Sequence, residues 1–298
     1  MQQQLCDGLS RPIYMHHLDG SWESSSRHMI PEGMSPDGVY HKQDFIEIFS
    51  VRFVNHKKLD FSNIYGAIVM QVGIRNYILF NRKLGEPPCI DSEGFVTLRM
   101  PCHGIKVGDG IELQSYLFNL EMKTRSKFVE WWSKLSYDNV LSQRVGSMFG
   151  PIEVTLAAYF SAVVASLEVT LINFEDECLS EVYGHVKVKN NKTLNPRAVS
   201  WLFRKENKGT MTCISPIKSG RCIALPLLRH VVAVPIDSTM MVDVCICYGD
   251  TVFASGEVMF HAKLTGKESG FLIGSHGKIR VEVLWSRVTY YDKLGYSW

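Results

Sequence analysis

Residues 187–221 concentrate positive charge around aromatic side chains, a combination that suits binding to an anionic partner. This stretch contains nine lysine and arginine residues against one acid, Glu206, so its charge is nine minus one, or +8, in a chain of net charge +2. Cations neutralise phosphates, and an aromatic ring such as Trp201 can stack on a base. The alternation of Lys187 and Lys189 equally suits the solvated face of an edge strand. The candidate anion-binding residues are Lys187, Lys189, Arg204, Lys205 and Lys208.

Two cysteines in the second part of the chain have a spacing that could serve metal binding. Cys245 and Cys247 would lie on one face of a strand, and the nearest further ligands along the sequence are Cys213 and His261. Cysteines in strand-like sequence are more often buried and inert. We therefore expect no metal and no cofactor.

Motifs typical of enzymes are missing from the sequence. There is no Gly-x-Ser-x-Gly elbow, His-Glu-x-x-His site or Walker loop, and no glutamate–arginine helix of an rRNA N-glycosidase. The run Gly274-Ser275-His276-Gly277-Lys278 leads into a strand, whereas phosphate loops open a helix. The acidic triplet 175–177 could bind calcium, but its counterpart at 55–58 is Asn-His-Lys-Lys. No catalytic residue is predicted, and we expect a protein that is not an enzyme.

The elements that would carry these residues occur twice along the chain. Six strand-like segments between residues 46 and 156 recur in the same order between 167 and 283, which predicts a tandem repeat. Two unrelated runs of strands would be the alternative, because alternating patterns recur by chance. The paired anchors are Glu47 with Glu168, Tyr65 with Tyr183, Phe80 with Phe203, Leu98 with Leu225, Glu112 with Asp243 and Gly150 with Gly277.

The alternating, β-branched character of these segments predicts an all-β protein. Short strands without long intervening helices favour two tandem antiparallel β-sandwiches with Greek-key connections. The predicted parts are a flexible leader at 1–43, a first repeat at 44–160, a second repeat at 161–290 and a tail at 291–298. Residues 122–149 would be an insertion in the first repeat, helical or irregular, because its large apolar residues follow at spacings of three and four. Within it, Trp131 and Trp132 are candidate interaction residues.

Composition places the chain among ordinary globular proteins. It has 298 residues, 46% hydrophobic and 21% charged, which leaves room for two domains. The first residues lack the apolar run of a secretory signal, and no segment reaches the ~18–20 apolar residues of a membrane span. We expect reduced cysteines and a cytoplasmic or nuclear location.

Several of the strand sequences resemble a known family. Ile64-Tyr65-Gly66, the strand 77–82 (Tyr-Ile-Leu-Phe-Asn-Arg), the run 270–275 and Leu284-Trp285-Ser286 are similar to a plant domain of unknown function that is abundant in grasses. That domain also resembles the C-terminal region of the cereal 60 kDa jasmonate-induced proteins, whose N-terminal part is an rRNA N-glycosidase. This chain carries Gln71-Val72-Gly73 where the family usually has an Arg-Asp pair. The resemblance implies a plant stress or defence protein without an assigned active site.

The expected function is a non-catalytic interaction module that binds a protein partner. Broad strand and loop surfaces, including Trp131 and Trp132, suit such a role. The alternative is an RNA- or anion-binding protein linked to translation or ribosome inactivation, acting through the basic stretch 187–221. A glycosidase with unfamiliar residues is a third possibility.

Overall fold

The computed structural model describes eleven stretches of the chain, within residues 43–286, and the predicted leader (apart from residue 43) and the tail lie outside them. The described stretches are 43–54, 60–86, 89–91, 93–98, 104–107, 110–119, 124–132, 137–173, 182–193, 195–205 and 222–286.

The prediction of an all-β protein is confirmed: the described residues form seventeen strands and, apart from one short 3-10 helix at Phe61–Asn63, no helix. No helix among the described residues has the length and apolarity needed to cross a membrane. The strands of the first half are β1 (Phe45–Phe53), β2 (Ile64–Val72), β3 (Arg75–Arg82), β4 (Ile105–Lys106), β5 (Ile111–Asn119), β6 (Thr124–Trp132), β7 (Val140–Val145) and β8 (Ile152–Tyr159). The strands of the second half are β9 (Ala162–Asn173), β10 (Val182–Asn190), β11 (Ser200–Lys205), β12 (Cys222–Ala224), β13 (Val231–Pro235), β14 (Thr239–Tyr248), β15 (Thr251–His261), β16 (Gly266–Ile273) and β17 (Gly277–Ser286).

Each half contains two antiparallel sheets, and the strand order is the same in both. In the first half the orders are β4-β1-β8-β7 and β3-β2-β5-β6. In the second half the orders are β12-β9-β17-β16, with β13 also paired to β9, and β11-β10-β14-β15. β1 therefore corresponds to β9, β2 to β10, β3 to β11, β5 to β14 and β8 to β17. The Greek-key description and the division at 160/161 stay predictions.

Two glycines occupy the same place in the two halves. Gly66 in β2 and Gly184 in β10 have φ angles of 122° and 124°, and a Cβ atom on either would lie 2.0 Å from a carbonyl oxygen of the neighbouring strand. Gly66 lies opposite Leu117, and Gly184 lies opposite Ile246. These two pairings make Glu112 of β5 equivalent to Met241 of β14. The predicted repeat match of Glu112 with Asp243 is therefore wrong by two residues.

Alternation along the strands builds two separate cores. In β5, for example, the odd-numbered residues, including Ile111, Leu113 and Leu117, are buried while the even-numbered residues are partly exposed, as a strand with one buried face requires. One cluster of buried side chains joins the two sheets of the first half, and another joins those of the second half. A third, smaller cluster lies where the halves meet and includes Phe45, Tyr159 and Val231.

A buried ion pair lies at this junction. The Glu47 carboxylate of β1 accepts hydrogen bonds from Arg229 at 2.7 Å, from Ser200 Oγ at 2.5 Å and from the Ala233 backbone N–H at 2.7 Å. Arg229 also donates to the Ile48 carbonyl at 2.8 Å. The two charged side chains are 1% and 6% exposed. Because one partner comes from each half, the network fixes how the halves dock.

Residues 122–149 correct the sequence prediction of a helical or irregular insertion. They contain β6, which pairs with β5, and β7, which pairs with β8. Spacings of three and four placed Trp131 and Trp132 on a helix face, but both lie in β6, at register with Glu112 and Ile111. Tertiary pairing with β5 overrides the local pattern.

Candidate interaction surface around Trp201

Trp201 lies in edge strand β11 at the centre of a cluster of charged side chains on the outward face of its sheet. β10 contributes His185 and Lys187, since odd-numbered residues of that strand face outward while Val186 and Val188 are buried. β11 contributes Arg204 beside Trp201, and β14 contributes Asp243. We call these five residues the Trp201 cluster.

Two cations lie over the indole ring of Trp201. The Arg204 guanidinium carbon is 5.0 Å from the ring centroid and Lys187 Nζ is 5.8 Å from it. The His185 ring meets the indole edge-on, with centroids 5.9 Å apart. Cations within ~6 Å of a tryptophan face are attracted by its quadrupole. Trp201 therefore orients both basic side chains.

Carboxylates pair with the same cations. Lys187 Nζ lies 2.7 Å from Asp243 Oδ2, and His185 Nε2 lies 3.4 Å from Asp243 Oδ1. Arg204 is 3.2 Å from Asp91 of the first half. Burial works against the charged form of Asp243, but the hydrogen bond from Lys187 and the charges of Lys187 and His185 hold its pKa below the usual value. The cluster thus combines an aromatic ring with largely paired charges.

The other predicted anion-binding residues are placed less centrally. Lys189 lies on the same outward face of β10, in register with Met241 of β14. Lys205 ends β11 and lies opposite Gly184. Lys208 lies outside the described residues. The structure therefore brings two of the five predicted residues, Lys187 and Arg204, into one cluster.

The first half has no such cluster at the same register positions. Both pairs, β2/β3 and β10/β11, carry a register shift at the same point, after Ile68 and after Val186. The residues at equivalent positions, first half then second half, are Ala67 and His185, Val69 and Lys187, Ile78 and Trp201, Asn81 and Arg204, and Gln114 and Asp243. The same fold therefore forms with apolar and amide side chains in these places.

A family model for a domain of unknown function, DUF6598, matches residues 45–283. The chain belongs to the DUF6598 family. This confirms the predicted resemblance to a domain of unknown function, while its grass-specific and jasmonate-induced parts stay predictions. One family model thus spans both halves.

Comparison with solved structures gives distant matches only. A calcium-bound two-domain structure of Extended-Synaptotagmin 2 matches with 10% identity, covering 84% of this chain and 97% of that one, with a TM-score of 0.24. Human GIVD cytosolic phospholipase A2 in complex with an inhibitor matches with 9% identity, covering 83% of this chain and 32% of that one, with a TM-score of 0.22. None of the curated proteins compared with the DUF6598 chain matches it. These scores are too low to support a function.

The remaining sequence candidates in this DUF6598 chain do not form a site in the described part. Cys245 is half-buried, and burial, together with the neighbouring Cys247, raises the pKa of its thiol. His261 pairs with Thr239 at the far end of β14, its Nδ1 lying 3.0 Å from the Thr239 hydroxyl. Among the described residues no three potential ligands come together as a metal site. Cys213 and the triplet 175–177 lie outside the described residues.

Two other features bear on a small-molecule role. The run 274–278 forms the turn between β16 and β17, closed by a hydrogen bond of 2.9 Å from Gly274 N–H to the Gly277 carbonyl, and opens no helix. A shallow pocket of about 30 Å³ lies near Tyr65 and Arg82. Ligand pockets usually enclose ~300–1,000 Å³, so this pocket suits a water molecule rather than an organic substrate.

The sequence did not predict the acidic residues that pair with the Trp201 cluster, nor the buried ion pair at the junction between the halves. Asp243 was read only as a repeat anchor, and Asp91 was not considered, because its pairing with Arg204 joins residues more than a hundred positions apart. Glu47 and Arg229 were missed for the same reason. An alternating strand that carries a single acid among apolar residues, as at Asp243, is the one local signal that could have identified a partner for Lys187.

Proposed function

We propose that this chain is a non-catalytic interaction module and that the Trp201 cluster binds a protein partner. The observation that carries the proposal is the difference between equivalent faces. The first half builds the same sheet with Val69, Ile78 and Gln114, so folding does not require Lys187, Trp201 and Asp243 at these positions. A half-buried tryptophan with two cations over its ring has the composition of an interface centre, where Trp and Arg are enriched.

The pairing of charges favours a protein partner over RNA. Binding to a phosphate backbone depends on cations that replace counterions. In the cluster, Lys187 already contacts Asp243 and Arg204 already contacts Asp91. A surface that presents both signs of charge around an aromatic ring suits the mixed polar surface of a protein. A plant stress or defence setting rests on the sequence resemblance and is part of the proposal.

The test replaces the cluster with the residues of the first half. The swap variant carries His185→Ala, Lys187→Val, Trp201→Ile, Arg204→Asn and Asp243→Gln. Proteins retained by the full chain from a plant extract are purified, and their dissociation constants are measured with the wild type and with each variant. Loss of an interface centre costs ~2 kcal/mol or more, so binding to the swap variant should weaken about 30-fold.

A matched control carries changes on the equivalent face of the first half. The variant with Asn81→Ala and Gln114→Ala should bind the same protein as tightly as the wild type does. Equal binding by the wild type and the swap variant would overturn the proposal. If instead the chain binds ribosomal RNA in a salt-dependent way, and Arg204→Glu, Lys205→Glu and Lys208→Glu together abolish that binding, the RNA alternative replaces it.

A further inference from the structure

A second surface of unusual composition lies on the outward face of the β16–β17 hairpin. Phe271 is 52% exposed and Ile273 is 78% exposed, and both side chains belong to the same face of β16. Opposite them in register on β17 lie Arg280 and Lys278. We call these four residues the hairpin patch. Large apolar side chains that are exposed together mark interaction sites more often than isolated ones do.

The hairpin that carries the patch is held firmly against the rest of the second half. At Gly274, a Cβ atom would lie 1.9 Å from the Phe253 carbonyl oxygen, and at Gly277 it would lie 2.3 Å from the Phe253 ring. The turn therefore packs directly on β15, where larger side chains have no room. Phe271 and Ile273 are exposed on a fixed framework.

The charges of the patch are positive. Lys278 Nζ lies 5.3 Å from the centroid of the Phe271 ring and, among the described residues, has no carboxylate partner. Arg280 contacts Glu282 at 3.3 Å, and Glu282 is shared with Lys267. On the outward face of β9, β17 and β16, the first described carboxylates lie in the row of residues next to Arg280, on the side away from the β16–β17 turn.

Two buried hydrogen-bonding groups, one in the patch and one beside it on β9, have no partner in the part of the chain that the structure describes. Thr170 of β9 lies in register with Arg280 and is fully buried, and its hydroxyl oxygen has no hydrogen-bond partner among the described residues. The Arg280 Nε–H group is also buried and, within the described stretches, has no hydrogen-bond partner. Both groups can donate a hydrogen bond to an anionic oxygen. The row of the sheet that carries Arg280 and Phe271 thus contains two hydrogen-bond donors that no described residue uses.

We propose that the hairpin patch binds the surface of a bilayer that contains anionic phospholipid. Phe271 and Ile273 enter the interfacial region, and Lys278 and Arg280 meet the phosphate groups. A bilayer accepts exposed apolar side chains without a complementary pocket, and its negative surface potential attracts cations beside them. This surface is on a different sheet from the Trp201 cluster and does not depend on the function proposed for that cluster.

The test uses the full chain and vesicles of two compositions. Co-sedimentation is measured with pure phosphatidylcholine vesicles and with vesicles that also contain phosphatidylserine, across a salt series. We expect binding to the anionic vesicles that weakens as salt rises. Ile273→Ser should weaken binding about tenfold through lost apolar burial, and Lys278→Glu at least about fivefold.

The first half supplies the matched control. Ile74, in the β2–β3 turn, is 90% exposed, and Ile74→Ser should leave vesicle binding unchanged. The melting temperature of each variant is measured as well, and exposed positions should alter it little. No binding to anionic vesicles at low salt overturns the proposal, as does equal binding by the wild type, Ile273→Ser and Lys278→Glu.

A competition arm separates the lipid surface from a free headgroup. Millimolar inorganic phosphate should not displace the protein from vesicles if Phe271 and Ile273 enter the bilayer. Displacement by phosphate alone would show an anion site without insertion and would overturn the bilayer assignment. If a purified protein binds the wild type and not Ile273→Ser while vesicles are not bound, the patch belongs to a protein interface instead.

Discussion

In the first half of the chain, Gln114 on the outward face of β5 hydrogen-bonds to Gln71, Glu112 and Tyr116, all on its own face. At the equivalent position in the second half, Asp243 pairs with Lys187 and lies 3.4 Å from His185, and both of these residues are next to Trp201. On the surface of the first half, the amide of Gln114 thus forms hydrogen bonds with neutral and acidic side chains. The surface of the second half places basic side chains next to an aromatic ring.

The inward positions of the same strands differ far less. Ile68 and Val186 are equivalent and buried, as are Phe80 and Phe203. Packing in a core requires apolar side chains of suitable volume, so both halves use them. The outward face carries no such packing requirement, so its residues differ between the halves while the strand order stays the same.

The largest expected effect tests the junction at which the halves meet. Glu47→Gln would leave Arg229 buried without its carboxylate, and breaking a buried ion pair typically costs ~3–5 kcal/mol of unfolding free energy. Glu168, which the repeat matches with Glu47, is exposed, so Glu168→Gln should change stability by less than ~0.5 kcal/mol. Urea denaturation of both variants measures the difference. A loss below about 1 kcal/mol for Glu47→Gln would contradict the role of the network.

A second experiment tests the similarity of the halves. Gly66→Ala and Gly184→Ala each place a Cβ atom 2.0 Å from a backbone carbonyl oxygen at a positive φ. We expect each to lose roughly 2–4 kcal/mol of stability, because strain at such positions is a known source of large losses. Thermal and urea unfolding provide the values. Losses that differ by more than about 2 kcal/mol would show that the two sites are not equivalent.

The third prediction concerns acid. A hydrogen bond from Lys267 holds the pKa of Glu282 below its usual value despite partial burial. A carboxylate with a lowered folded-state pKa stabilises the protein above its unfolded pKa, near 4, and this stability is lost as the pH falls through the folded pKa. Glu282→Gln should therefore flatten the loss of stability between about pH 5 and pH 3. Described carboxylates with lowered pKa values are Asp60 in the first half and Asp237, Asp243, Glu268 and Glu282 in the second.

Hydrogen exchange resolved by segment measures the same effect by region. With intrinsic exchange rates accounted for, protection should fall more in β14–β17 than in β2–β6 as the pH is lowered from 5 to 3. Equal loss of protection in the two halves would show that these carboxylates do not govern acid stability.

The smallest effect is expected from the swap variant of the Trp201 cluster. Lys187 and Asp243 are both about a fifth to a quarter exposed, and ion pairs near the surface contribute ~0–1 kcal/mol. Because the first half folds with the substituted residues at these positions, we expect a stability change of about 1 kcal/mol or less in thermal unfolding. Unfolding of the variant at room temperature would mean that the cluster is a structural element.

Most strands could be predicted from local pattern, and the errors have a common cause. The alternation in β10 and β17 and the segments around five of the six paired anchors predicted strands that correspond between the halves, whereas Leu98 and Leu225 lie in no named strand. The strand β6 was missed because Phe128, Trp131 and Trp132 follow a helical spacing, and only pairing with β5 decides their conformation. The two-residue register error at Glu112 arose because a shift of two keeps every side chain on the same face.

The sequence by itself determined the all-β class, the strand series and the basic stretch that contains Lys187 and Arg204. These follow from periodicity and charge, which act between neighbours along the chain. Only the tertiary structure decided which carboxylates meet those cations, that Glu47 and Arg229 join the halves, and that Phe271 and Ile273 remain uncovered beside Lys278. Such pairings link residues far apart in the chain, and packing of the completed sheets, rather than local preference, brings them together.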